Sequence, residues 1–448
     1  MSSTNDNTHR SRRRFLAASA ATASAALAGC FAGDETDSNK QTQTPTQTGN
    51  QSNANAGLPT GINPQKYAKH FDKRVNIVKQ GADKTGKRAI DDVLEQVIDS
   101  NTLIYFPPGR YKLNTNHRHV GLQDLGIIGN NAVLTHGTVK AIDGFDVTNG
   151  EYHGPAQHFK IGVPDNPHKG KFVFGGFIAD WRGKNEGMQI LNHHTDGTSV
   201  VENIRQEGIH SLGCQGPFRI DAHGANAKAI VRGVDLRFGG KSYQFTINTR
   251  KERSGGGTET GRSWATSGIT THPEAKGHLR VQQSLCGGWP DNGFYLAGGP
   301  QQTVEIVNCV AANSHPSNIR ISGTDCRIKG CTVVTDSNFD KKEFYFEQRP
   351  LRPDGGTCTV SNTQIKQLLP TGWSVTVQHA MEKATLKNVS VEIHKQPQLA
   401  LVVDNAVNRC TVNGFAVQTK GWQGTKTSLF RGWPDVAKNI SVNGRSIA

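Results

Sequence analysis

Leu279-Arg280-Val281-Gln282-Gln283-Ser284-Leu285-Cys286, then Trp289-Pro290-Asp291-Asn292-Gly293, then Phe294-Tyr295-Leu296 is the stretch whose reading decides the fold. Leu279, Val281, Gln283, Ser284 and Cys286 alternate as in a strand with one buried face. A turn follows, and Phe294-Tyr295-Leu296 is a second short strand. The same unit returns as Val304, Ile306, Asn308, Cys309 and Ala311 before Ile319-Arg320-Ile321, and again as Cys326, Ile328, Gly330, Cys331 and Val333 before Phe344-Tyr345-Phe346. Cys358-Val360-Asn362, Ala384-Leu386-Asn388 and Cys410-Val412-Gly414 open three more, and successive starts fall 25, 22, 32, 26 and 26 residues apart. Short alternating strands at such a period are the signature of a solenoid, in which each coil buries its apolar face against its neighbours. With several strands per coil and almost no helix, the expected fold is all-β, a right-handed parallel β-helix.

Looser coils precede this region at Leu125–Gly129, Phe172–Phe177, Val201–Ile204 and Val231–Val234. Residues Lys87–Asp99 place Ala89, Ile90, Val93, Leu94, Val97 and Ile98 at helical spacing, which predicts a short amphipathic helix. A β-helix exposes an unpaired edge at each end, so this helix is expected to cap the first coil. After Gly421 the repeat fades, and Trp422, Phe430, Trp433 and Ile440 are expected to close the other end. The Gly-, Thr- and charge-rich stretch Lys251–Ser267 reads as a long loop leaving one coil.

The composition agrees. Of 448 residues 50 are glycine and 35% are hydrophobic, which suits a narrow core tube with many tight turns. At the N-terminus, Ser11-Arg12-Arg13-Arg14-Phe15-Leu16 precedes an Ala-rich apolar run and Leu27-Ala28-Gly29-Cys30. That order reads as a twin-arginine export signal over 1–29, with Cys30 lipidated as in a lipobox. Residues 30–57, rich in Thr, Gln, Asn and Ser, read as a tether. The folded domain is expected at 58–448, with coils over about 120–420, held outside the cell at the outer face of the membrane by the lipid anchor. Four Arg and one Asp in the signal leave the exported chain with +11 of the +14 net charge. A basic exported surface favours acidic polysaccharide as partner over nucleic acid. The pairs Cys309 and Cys331, and Cys326 and Cys358, fall in matching slots of consecutive units, and side chains stacked in register favour free thiols over disulfides.

Asn76-Ile77 with Gly81-Ala82, the cap helix and Tyr105-Phe106-Pro107-Pro108-Gly109-Arg110-Tyr111 resemble the N-terminal signature of the pectate-lyase-like right-handed β-helix superfamily. Gly216-Pro217-Phe218-Arg219-Ile220-Asp221 and Trp289-Pro290-Asp291-Asn292-Gly293 resemble exported β-helix proteins of salt-loving archaea, although those are strongly acidic and this chain is basic. Hydrolases of the polygalacturonase type carry Asn-Thr-Asp, Asp-Asp, Gly-His-Gly and Arg-Ile-Lys on consecutive coils. Here only Arg327-Ile328-Lys329 occurs, and Asp91-Asp92 lies on the cap helix. The paired carboxylates of hydrolysis are therefore not recognisable. The resemblance leaves a lyase with an arginine base, Arg320 or Arg219, and calcium on Asp221, Asp291 or Asp325.

The second strands align as Met188-Gln189-Ile190, Phe218-Arg219-Ile220, Ile269-Thr270-Thr271, Phe294-Tyr295-Leu296, Ile319-Arg320-Ile321, Phe344-Tyr345-Phe346 and Val375-Thr376-Val377. Their middle residues, Gln189, Arg219, Thr270, Tyr295, Arg320, Tyr345 and Thr376, are expected to point outward one coil apart. Arginine pairs bidentately with carboxylate or sulfate, and tyrosine stacks on sugar faces. His193, His223, Asp221, His272, Asp291 and His315 fall in the adjoining turns. The expected catalytic set is Arg320, Arg219, Asp291 and His315, with Tyr295, Tyr345, Gln189 and Asp221 binding substrate. The alternative is an envelope or adhesion protein that uses the same stripe to hold glycan.

Overall fold

The repeats wind into a parallel β-helix of about 13 coils. The computed structural model describes residue 58 and residues 60–448, apart from 144–145, 243–244, 249–265, 338–347, 370–371 and 396–397. The signal, the tether, Cys30, Tyr345 and nearly all of the Lys251–Ser267 loop lie outside the described residues.

After the first coil, whose third side is helical, the coils have three strands, not two. The first ladder runs from Lys73–Asn76 through Thr102–Phe106, His278–Gln282 and Thr303–Val307 to the start of Val436–Val442. The second includes Thr85–Ala89, Arg110–Leu113, Leu285–Gly287, Val310–Ala312 and Thr332–Thr335. The third includes His117–His119, Gln157–Ile161, Gln189–Thr195, Phe218–Ala222, Ile269–Thr270, Asn292–Ala297 and the first residues of Ser317–Lys329. What reads in sequence as one strand from Leu279 to Cys286 is two, joined at Gln283 by a single left-handed residue (φ +51°).

That corner recurs at Asn203, Gly233, Gln283, Asn308, Gly330, Asn362, Asn388, Gly414 and Asn439, all with positive φ. Asparagine and glycine tolerate this region where most residues are strained. The asparagines also stack: the Asn388 side-chain amide donates to Asn362 Oδ1 at 3.2 Å.

Inside the tube, like stacks on like. Val360, Leu386 and Val412 are register partners and fully buried, each contributing roughly 1.5–3 kcal/mol of apolar transfer. The N-terminal half is aromatic instead, with Phe106 edge-on to Phe177 at 5.3 Å and Phe172 stacked on His193 at 4.0 Å. All seven described cysteines are buried free thiols, and Cys326 and Cys358 are direct register partners.

The ends differ from expectation. Residues 87–89 belong to the strand Thr85–Ala89, pairing with Arg110–Leu113, and the cap helix is only Asp91–Val97. Strand pairing captures the polar start of the periodic segment, while Leu94 and Val97 are buried over the tube. The repeat does not stop at Gly421. Phe430–Arg431 and Val436–Val442 add another coil, closed by an antiparallel turn to Arg445–Ser446. Ile62, Tyr67 and Phe71 also cover Leu103, Ile128 and Val173 on the outside of the first ladder. Among the described residues no helix is long and apolar enough to cross a membrane.

Gly330 sits between two asparagine corners, and a Cβ there would clash with the Asn308 side-chain amide oxygen, at 2.3 Å, its other contacts with Asn308 being at ordinary distance. That amide is the free end of a side chain and can turn. Gly330→Asn is expected to hold or raise stability by about 0.5 kcal/mol through the unfolded chain. Gly330→Val, β-branched in the left-handed region, is expected to cost about 1–3 kcal/mol. Urea midpoints of the two variants separate the cases.

Buried histidines set the acid limit. His136 donates from Nδ1 to the Gly137 carbonyl (2.8 Å) and accepts from the Gly187 N–H (3.2 Å), a neutral ring. Burial lowers His136 and His168 to about 4 and His210 to about 3. The unfolded chain binds these protons near 6.5, so their stabilisation is complete above that pH and is lost as pH falls toward 4. Each histidine is expected to remove about 1.4 kcal/mol per pH unit in that window. Denaturant midpoints from pH 7.5 to 4.5 should fall steeply below about 6.5, and a flat profile would exclude neutral buried rings.

Candidate functional site: a basic ladder and an imidazole pocket

Register on the third ladder places one outward residue per coil in a continuous column. Arg118 pairs with Lys160, Lys160 with Asn192, Asn192 with Arg219, Arg219 with Thr270, Thr270 with Tyr295, Tyr295 with Arg320 and Arg320 with Arg352. Eight rungs at strand spacing span about 34 Å. Five of the eight residues are cations.

Within this column Arg219, Thr270, Tyr295 and Arg320 stand as the sequence pattern predicts. Gln189 does not. It is buried and its amide donates to the Gly216 carbonyl, while Asn192 fills its rung. Thr376 is buried too. Tyr345 is outside the described residues, and Arg352 is the partner of Arg320. Arg118, Lys160 and Arg352 were missed.

Two pairs of these cations, Arg118 with Lys160 and Arg320 with Arg352, are direct register neighbours, and the second pair is compensated. Asp354 bridges two of them, with Arg320 Nη2 and Arg352 Nη2 each 2.6 Å from its carboxylate. The Arg320 guanidinium also lies over the Tyr295 ring, 4.7 Å from its centroid. Although burial opposes the charge, Asp354 and Tyr295 keep Arg320 above the ordinary arginine value. An arginine so held stays charged at neutral pH, with its guanidinium paired to Asp354. Burial, with Arg118 and Arg219 nearby, lowers Lys160.

Two residues further along the same strands, and so on the same face, is a second column. His194 and Asp221 are register partners, with His194 Nδ1 3.0 Å from Asp221 Oδ2. Arg219 Nε is 3.8 Å from that oxygen, and the Thr271 hydroxyl donates to Asp221 Oδ1 at 3.2 Å. The rings of His223 and His272 lie 6.4 and 6.0 Å from that of His194. Burial first, then Arg219, lowers His272, leaving it neutral at pH 7. The Glu274 N–H donates to His272 Nδ1 (3.3 Å), which leaves the proton on Nε2. Asp221 and His194 are buried beneath, while Arg219, His223 and His272 reach the surface in part.

Asp291 and His315 do not join this pocket. In a parallel ladder every strand enters at one edge and leaves at the other. Asp291 and His315 precede their strands, whereas Asp221, His223 and His272 sit at or beyond the far ends. Asp291 is buried, accepting from the Ser267 hydroxyl (2.7 Å) and the Asn292 amide (2.9 Å). The N–H of half-buried His315 donates to the Trp289 carbonyl. His193 faces inward, against Phe172, and its neighbour His194 takes the outward place. Asp325 is on the first ladder, paired to Arg327 at 2.7 Å. The three aspartates offered for calcium are therefore not brought together.

No family model matches the chain. No curated protein matches it in sequence. Among solved structures it is similar to the Streptococcus pneumoniae surface protein and adhesin PfbA, at 13% identity and TM-score 0.40 over 83% of this chain and all of that one. It is similar to a Family 28 exopolygalacturonase of Yersinia enterocolitica at 10% identity and TM-score 0.38, over 84% and 79% of the two chains. A Thermotoga maritima exopolygalacturonase gives 10% identity and TM-score 0.35, over 83% and 96%. These are loose likenesses of winding. The fold rests on the ladders themselves, and no activity follows from the likeness.

Asp354→Asn should leave two stacked guanidiniums without their counter-ion, at an expected cost of about 2–4 kcal/mol. Adding Arg352→Gln should recover part of the loss, because the like-charge contact goes with it. A double-mutant cycle by chemical denaturation measures this coupling, and simple additivity would mean Asp354 does not bridge them.

Proposed function

We propose that the protein grips an acidic polysaccharide along the basic ladder and acts on it at the Arg219 pocket. The observation that carries this reading is the unbroken register of Arg118, Lys160, Arg219, Tyr295, Arg320 and Arg352. A row of cations with an aromatic face matches a linear polymer that repeats carboxylate or sulfate along apolar sugar faces. The reading also takes the N-terminal segment as a twin-arginine signal with a lipid anchor at Cys30, which would hold the ladder outside the cell where such polymers are met.

β-Elimination at a uronate fits the pocket better than hydrolysis. Arg219 neutralises the uronate carboxylate, which acidifies the neighbouring C–H. His223, half-buried at the rim, takes that proton. The electron pair forms the new C=C bond as the C–O bond to the leaving sugar breaks. His272 Nε2–H, beside Arg219, donates to the departing oxygen. Asp221 and His194 lie beneath and orient these groups. Hydrolysis would instead need two carboxyl groups facing one bond; among the described residues Asp221 is buried under the imidazoles, and Glu274, whose carboxylate lies 3.9 Å from His272 Nδ1, is exposed on the other side of that ring.

The test is incubation with a panel of polyuronates and sulfated glycans, following ultraviolet absorbance of unsaturated uronate together with new reducing ends. Absorbance with ends is the expected result, and Arg219→Ala or His223→Ala should lower kcat/KM by roughly 100-fold or more. Arg352→Ala should raise KM with little change in kcat. Ends without absorbance would replace elimination by hydrolysis. Salt-sensitive binding with no product would leave the ladder as a glycan-holding surface, the adhesin reading, which the Asp354-bridged Arg320 and Arg352 clamp also suits.

A further inference from the structure

A second constellation, unrelated to the basic ladder, lies where the cap helix meets the tube. The helix Asp91–Val97 occupies the third-ladder position of the first coil, directly over the strand His117–His119. Asp91 and Glu95 are one helical turn apart and so share a face. His117 and His119 are the register partners of Phe159 and Ile161, which are core residues, so both rings turn inward toward the helix.

The distances order these groups. Asp91 is fixed in place: its carboxylate accepts from the backbone N–H of Asn114 (2.9 Å) and of Thr115 (3.2 Å). Asp91 Oδ1 lies 3.0 Å from His117 Nε2. An Nε2–H given to Asp91 leaves the Nδ1 lone pair of His117 pointing away from the carboxylate that anchors it. Glu95 Oε1 is there, 2.6 Å from Nδ1, and 3.5 Å from His119 Nε2. Glu95, His117 and His119 each offer a ligand atom within 4.8 Å of the others. His119 Nε2 is itself buried and has no hydrogen bond.

We infer that Glu95, His117 and His119 bind a divalent transition metal of the zinc class, with Asp91 as the outer carboxylate that orients His117. Two imidazoles and one carboxylate are a donor set for such ions, and three protein ligands leave one position for water. A ligating histidine usually passes its other N–H to a carboxylate, which is the part Asp91 takes here. The competing arrangement is a proton on His117 shared between Asp91 and Glu95. It satisfies His117 but leaves the buried His119 Nε2 with only a 3.5 Å approach to Glu95 Oε1, whereas a metal uses both rings. Glu95 is half exposed, which gives the ion a way in. Because one ligand comes from the helix and two from the next coil, the metal would pin the cap to the tube.

Cobalt(II) titration of the chelator-treated full chain tests this, read by visible d–d absorption and competed with zinc. One cobalt site with visible bands is expected, and zinc should raise Tm. Glu95→Gln and His119→Ala should each weaken cobalt binding at least 10-fold, Asp91→Asn should weaken it about 10–100-fold, and His272→Ala should leave it unchanged. Glu95→Gln keeps the shape of the side chain and can donate to His117 Nδ1, so its metal-free circular dichroism spectrum should match that of the wild type, which separates lost metal binding from lost fold. No cobalt bands at millimolar metal, or bands that survive both Glu95→Gln and His119→Ala, would overturn the site and leave His117 as a doubly paired imidazolium.

Discussion

From Asn203 onward the outward columns depend on one constraint, the single left-handed residue that turns each coil from its first ladder into its second. Because the corner is one residue long from Asn203 to Asn439, the phase between these ladders is the same in each coil. Variation in coil length is pushed into the other bends. Coils 22 and 32 residues long therefore stack without slipping, since extra residues such as those between Thr335 and Leu351 enter where no ladder pairing is interrupted. A longer corner would let register drift by one residue, and one residue exchanges core and surface along a whole strand.

Fixed register has an electrostatic consequence. Parallel stacking puts identical positions about 4.8 Å apart, so a repeated cation is forced against its copy. The protein answers in two ways. Asn192 and Thr270 interrupt the column on either side of Arg219. Where Arg320 and Arg352 do meet, Asp354 lies between them and Tyr295 offers its ring face. Cations stacked at that spacing favour an anion that can run along them over any compact partner. The geometry that makes the column costly when bare is thus the geometry that suits a polymer.

The fold was legible because stacking repeats its own pattern in sequence, and the register of the first strands from Leu279 to Cys410 could be read correctly. Cys326 with Cys358 and Tyr295 with Arg320 fell into line because the strands between them alternate cleanly. The three-strand coil was not legible, since a one-residue corner at Gln283 or Asn308 leaves the alternation looking continuous. Around Gln189 the reading slipped. All seven residues of Gln189–Thr195 are buried, so no polar beat marks which ones face outward. The slip placed Gln189 in the column and drew attention to His193 in place of His194. Arg352 was missed for another reason: it follows a long insertion, and Phe344-Tyr345-Phe346 offered a more regular pattern than Leu351-Arg352-Pro353. The pairing of Asp91 and Glu95 with His117 and His119 was legible only in halves, an i, i+4 pair and an i, i+2 pair, with nothing in sequence to bring the helix over that strand.

The two halves of the tube are chemically unlike. His117, His136, His158, His168, His193, His194 and His210 are all buried, and all precede residue 211. The later coils bury Val, Leu, Ile and Cys instead. Some of these imidazoles are fixed by hydrogen bonds, as His193 is by donating from Nδ1 to the Ile161 carbonyl (3.1 Å) and accepting from the Ser199 hydroxyl at Nε2 (2.8 Å), while both ring nitrogens of His158 and His168 are buried without one. Such bonds specify each ring's place more sharply than aliphatic packing does, but they bind the core to one protonation state. In a solenoid, stability is a sum over neighbouring coils, so the halves need not fail together. The aliphatic coils carry Arg320 and Arg352 on a support indifferent to mild acid, while His194 and Asp221 sit on the half whose interior is not. Under the proposed function, the Arg320 and Arg352 end of the column would therefore outlast the pocket as pH falls, whereas Arg118 and Lys160 share the histidine-rich half with it.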